Sequence, residues 1–228
     1  MNILELRAEV EQELTWRRRE LRHLRNRLLG PAPTGDELAS AMRTLMVMQY
    51  AHLEGLTKQT LSVYARAINS ERALAEALAP EVAAAGLAPE FESLRAGSSP
   101  ASTDPDERRL RQAERETHFV LRLRSLDTEP IELDIDRVVS LESNLSSDVL
   151  KRILYRVGIS PTDLDRTLYR SLEFVRRTRH DVAHGVHTVA PARSEFEAHM
   201  LATDRLMDDL VRLVYSACRF GHFRRVTV

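Results

Sequence analysis

The segment Arg179-His180-Asp181-Val182-Ala183-His184-Gly185 brings a permanent cation and an imidazole within five positions of each other. An arginine keeps its proton at working pH and offers five donors, which suits a phosphate. Histidine is the side chain whose ordinary charge change falls near neutrality, so it can give and take protons. On a straight helix, residues five apart sit about 140° round the axis and roughly 7.5 Å along it. One straight helix does not aim both side chains at a common atom. A bend at the helix end, or a second copy across a two-fold axis, would bring them together. Plainer readings stay open: Arg179 reaching water or pairing with a carboxylate, and His184 bonding the last carbonyls of its helix.

A second group lies in YAHLEGLTKQTLSVY. Glu54 and Lys58 are four apart, in the favourable Glu-before-Lys order, and interrupt an apolar face. They make either a semi-buried structural ion pair or a carboxylate that orients Arg179 or a histidine. His180 and His184 have a spacing that can put two metal ligands on one helix face, with His187 close behind. There is no HExxH, however, and a third ligand would have to come from a loop, so no metal and no other cofactor is expected. Arg17, Arg18, Arg19, Arg22, Arg25 and Arg27 form a basic face on the first helix, read as solvated rather than phosphate-binding. Phe220, Phe223, Arg224 and Arg225 interleave aromatic and basic residues, as a frayed tail or a clasp for an RNA end. Phosphate-cradling glycine loops, GxSxG and zinc-ribbon cysteine patterns are absent.

The elements that must position these residues read as helices. Apolar residues recur at helical spacing over about 2–29 and about 36–69, with Gly30-Pro31 between them. The second helix carries the stripe Met46, Tyr50, Leu53, Thr57, Leu61, Tyr64 and Ile68. Residues 71–96 read as short helices broken at Pro80 and Gly86–Pro89, 97–106 as a flexible loop, and 106–125 as a charged surface helix. A short strand or extended segment fits only within 126–139. Helix resumes from Ser146 to Gly158. Ser160-Pro161 then reads as the start of the helix that ends at His184, with Gly185 as its stop. Ser194 reads as the cap of the last helix. The expectation is an all-α bundle of about four main helices with short extra ones, in one domain over 1–228, its N-terminal helix at 1–30 and its motif-bearing helices at 144–228.

Composition sets the class. The chain has 228 residues, with 33 Lys and Arg against 34 Asp and Glu, so any hold on an anionic partner must come from local patches rather than bulk charge. Its single cysteine, Cys218, rules out a disulfide within the chain and reads as a core thiol. Neither a signal peptide nor a membrane span is evident, so the expected location is the cytoplasm.

Arg179 to Gly185 resembles the signature of the HEPN superfamily: an arginine, often followed by a polar residue (here His180), and a histidine four to six intervening residues later. Ala51-His52-Leu53-Glu54-Gly55 with Lys58, and Asn144-Leu145-Ser146 leading a helix that ends in Gly158-Ile159, resemble a branch of prokaryotic HEPN-like nucleases. The likeness runs from about residue 40 to the C-terminus. It implies a homodimeric, metal-independent ribonuclease in which two copies of the motif form one cleft. His184 would then be general acid or base, Arg179 would bind the scissile phosphate, and His180 would position substrate or Arg179, with Asp181, Glu54 and Lys58 in support. The reaction implied is 2′-hydroxyl transesterification, for which DNA lacks the nucleophile. The resemblance also implies a toxin or antiviral-defence effector with an antitoxin or effector-system partner. Some HEPN proteins are instead non-catalytic interaction or dimerisation subunits that partner a nuclease or NTPase, and that is the alternative function.

Overall fold

The computed structural model describes residues 2–30, 32–96, 104–142, 144–185 and 191–226. Four long helices carry the architecture: α1 (Ile3–Leu29), α2 (Gly35–Ser70), α8 (Arg166–Ala183) and α9 (Arg193–Phe220). Between α2 and α8 run α3 (Pro80–Gly86), α4 (Ala88–Arg95), α5 (Pro105–Ser125), α6 (Ile135–Val138) and α7 (Ser147–Arg156), with one-turn 3₁₀ helices at Ala75–Ala77 and Pro161–Asp163. The described residues contain no strand, only an isolated bridge between Leu78 and Arg224. The fold is an all-α helical bundle.

The second helix is the central post. Its stripe from Met46 to Ile68 is buried throughout, and α1, α8 and α9 all pack against it. At about 1.5 Å per residue its 36 residues span roughly 54 Å. α1 starts on a capping box: Asn2 Oδ1 accepts the Leu4 N–H at 2.8 Å, and Glu5 accepts the Asn2 N–H at 3.0 Å. At the other end of the chain the tail is docked rather than frayed. Phe223 is buried against Tyr64, Arg224 pairs with Glu71 at 2.5 Å, and the Arg225 N–H bonds Ala77 O. Gly158 makes this docking possible: a Cβ there would lie 3.0 Å from His222 O, and its φ of +77° suits only glycine.

Two local expectations differ from the structure, and of the two alternatives for 126–139 the extended one holds. Residues 126–139 hold no strand. Ile131 and Leu133 are buried in an extended run, but the Leu133 backbone bonds the Asn69 side-chain amide in both directions, at 2.8 and 2.9 Å, so one amide stands in for a partner strand. Ser160-Pro161 opens only a 3₁₀ turn. The long helix begins after Asp165, whose carboxylate accepts the Thr167 N–H at 2.7 Å. The last helix starts one residue before Ser194, after Ala192 and without a side-chain cap. Most of the expected flexible loop, 97–103, lies outside the described residues, while Pro105 already belongs to α5.

Candidate functional site

The apolar positions of α8 alternate by three and four, so Leu168, Leu172 and Val175 bury one face against α2 and α9. Arg179 continues that face. Its side chain is partly buried, and its guanidinium carbon lies 5.6 Å from the centroid of the Tyr50 ring. Among the described residues no carboxylate comes within 4.0 Å of the Arg179 guanidinium. Tyr50 is fixed from its other end. Its hydroxyl accepts the Leu145 N–H at 2.6 Å and donates to the Asn144 side-chain oxygen. Burial pushes the Tyr50 hydroxyl far above its ordinary range, with Glu54 adding to that, so it stays a neutral donor.

Thus the α2 segment, the Asn144-Leu145 turn and Arg179 meet around one tyrosine. Glu54 joins this group at long range, 3.5 Å from Tyr50 Oη. Lys58 does not join it: the residue is exposed, and the expected pair with Glu54 is not formed among the described ion pairs. Sequence reading assigned Tyr50 only to the apolar stripe and missed its part here. The signal available was general: a tyrosine deep in a packed face needs a partner for its hydroxyl.

His184 sits at the end of α8. Its N–H bonds His180 O at 3.0 Å, and Gly185 follows at φ +66°, the stop read from the sequence. The two imidazoles, both exposed, lie with centroids 4.3 Å apart. His180 therefore neighbours His184, while Arg179 points the other way toward Tyr50. Asp181 is partly buried on the turn between them. Within one chain the arginine and His184 stay on different sides of the helix, as the spacing implied.

The other likeness-bearing segment has a different job. His52 is buried against the Trp16 edge and 3.3 Å from Glu20. A Cβ on Gly55 would come within 2.6 Å of the Arg17 guanidinium. These two residues seat α1 on α2. Arg17 itself pairs with Glu13 and covers Trp16, and Arg18 pairs with Asp208, so part of the basic face of α1 is already engaged. Cys218 is partly buried, and burial pushes its thiol up.

No three His, Cys, Asp or Glu side chains among the described residues are grouped to hold a metal, and His187 lies outside those residues. No described helix is long and apolar enough to cross a membrane.

The family model described as HEPN_MAE_28990:/-like HEPN matches residues 6–220. The chain belongs to this HEPN family. No curated protein and no solved structure matches it. The match spans all four long helices of the HEPN domain, including α1, which the residue-level likeness left out.

Proposed function

We propose that this HEPN protein is a metal-independent endoribonuclease acting as a homodimer, with Arg179 and His184 as catalytic residues. The observation that carries the reading is the exposed end of α8, where the His184 and His180 imidazoles lie 4.3 Å apart and Arg179, one position from His180, has no carboxylate within 4.0 Å among the described residues. An imidazole takes the proton of the ribose 2′-hydroxyl. O2′ attacks phosphorus, the P–O5′ bond breaks, and an imidazolium of the facing copy returns a proton to O5′. The products are a 2′,3′-cyclic phosphate and a 5′-hydroxyl. Arg179 stabilises the charge building on the phosphoryl oxygens. His180 positions His184 or the substrate, Asp181 supports the turn, and Glu54 holds Tyr50, on which Arg179 rests. The role is that of a cytoplasmic toxin or defence effector, restrained by a partner protein.

The test compares wild type with Arg179→Ala and His184→Ala on total RNA in EDTA. Cleavage lost in both variants supports the assignment. Cleavage that survives both substitutions rules out this site, and cleavage abolished by EDTA rules out the metal-free reaction.

A further inference from the structure

The outer side of α8 carries three arginines that the catalytic reading does not use, in line with its two histidines. Arg166, Arg170, Arg177, His180 and His184 fall within an arc of about 80° round the helix axis. All five are exposed. The first three border an open cleft of about 1290 Å³ between α7, α8 and α9. Its two carboxylates are already neutralised: Asp148 by Lys151 at 3.3 Å, and Glu173 by Arg176 at 2.9 Å, with Glu173 also accepting the Ser147 N–H. Burial alone would raise the Glu173 carboxyl, but the Ser147 N–H and Arg176 outweigh it and hold the group charged, below its usual range. Among the described residues Arg166, Arg170 and Arg177 make no ion pair within 4.0 Å. A chain with balanced overall charge thus keeps three uncompensated guanidinium groups in one cleft. Two aromatic side chains also line the cleft, Phe174 and His199, both partly buried and stacked on each other with centroids 3.8 Å apart.

We propose that this cleft is the track on which single-stranded RNA lies as it approaches the histidines at the end of α8. The inference rests on the ribonuclease reading for its ligand and extends that site by about 21 Å along the helix, from Arg166 to His180. The unpaired arginines neutralise successive phosphates, and the Phe174–His199 platform takes a base by stacking. Charge complementarity selects the occupant: an acidic protein surface would leave the aromatic platform unused, and a duplex would hide the base faces it needs.

The experiment measures binding rather than cleavage. A fluorescein-labelled 2′-O-methyl oligouridylate keeps its phosphates but cannot be cut, and its anisotropy is followed with the full chain at several salt concentrations. The variant Arg166→Gln/Arg170→Gln/Arg177→Gln is expected to bind at least about tenfold more weakly, with a salt slope shallower by about two, near 0.7 per lost phosphate contact. Arg170→Gln and Arg177→Gln singly are expected to lose about threefold each. A charge-matched control on α5, Arg108→Gln/Arg109→Gln/Arg111→Gln, is expected to keep wild-type affinity. Circular dichroism checks folding, and light scattering checks mass. The proposal is overturned if the strip variant binds like wild type, if the control weakens equally, or if the strip variant changes oligomeric mass while RNA affinity holds, which would assign the strip to a protein contact. Weakened binding in the strip variant, together with a wild type that cuts no ordinary RNA, would uphold the track and remove the nuclease reading alone.

Discussion

The two faces of α8 use overlapping residue types to opposite ends. The inner face, Leu168, Leu172, Val175 and Arg179, is packed on α2 and α9, and its one cation rests on the Tyr50 ring. The outer face, Arg166, Arg170, Arg177, His180 and His184, stands in solvent. The inner-face Arg179 would meet a phosphate from a fixed place on the Tyr50 ring, whereas an arginine on the outer face is free to move to one. The difference teaches that the neighbours of a side chain, more than its type, decide whether it supports the fold or faces a ligand. If that division holds, outer-face changes cost function without stability, changes to the apolar residues of the inner face cost stability first, and Arg179, anchored on the inner face, serves both.

The largest expected effect is on the outer face. On the proposed mechanism His184→Ala lowers the rate of RNA cleavage by about 10²–10⁴-fold, with unfolding free energy within about 0.5 kcal/mol of wild type, because the side chain is exposed. Initial rates and a urea melt read the two quantities separately. A large stability loss in this variant would break the division. Leu172→Ala is the inner-face counterpart. Leu172 is fully buried, so the truncation is expected to cost about 2–5 kcal/mol, seen as a lower urea midpoint.

Tyr50→Phe sharpens the comparison at the point where Arg179 rests. It keeps the ring under the guanidinium but leaves the Leu145 N–H without its hydroxyl acceptor. A loss of about 1–3 kcal/mol is expected in the same melt, and an unchanged midpoint would show that the tyrosine hydroxyl does not hold the turn.

The smallest effect is a pH slope. Burial lowers the pKa of His52, Glu20 opposes this and Arg17 reinforces it, and burial also lowers that of His199. A histidine with a depressed folded pKa contributes stability above its ordinary value of 6.5 that is lost as pH falls through the folded value. Thermal midpoints are therefore expected to fall as pH drops below 6.5, and His52→Gln should flatten that slope. A variant with the wild-type slope would take His52 out of the account.

What was legible in the sequence was local or periodic. The four long helices follow from apolar spacing, and the end of α8 from a histidine followed by glycine. Ile131 and Leu133 lie in an extended, buried run, one of the two readings left open for 126–139, while Ile135 already opens α6. The strand reading stayed open because nothing in the pattern reveals that the side-chain amide of Asn69 supplies the pairing. Ser160 and Asp165 are both good caps, and proline after Ser160 favoured the wrong one. The extended backbone of Leu164 settles the start of α8. The Tyr50–Asn144 contact joins residues 94 apart, a separation at which helical periodicity carries no information. The family match covers Ala51 to Gly55 without singling that segment out, and its histidine and glycine face α1 rather than the exposed end of α8.

The central claim is that a ribose 2′-hydroxyl attacks the scissile phosphate without a metal. It is tested most directly with a defined RNA and its twin bearing one 2′-deoxy nucleotide at the mapped cut, both in EDTA, with product ends read by mass spectrometry. The account predicts a 2′,3′-cyclic phosphate and a 5′-hydroxyl from the RNA, and an intact twin. Cutting of the deoxy position, or products ending in a 3′-hydroxyl, would contradict it.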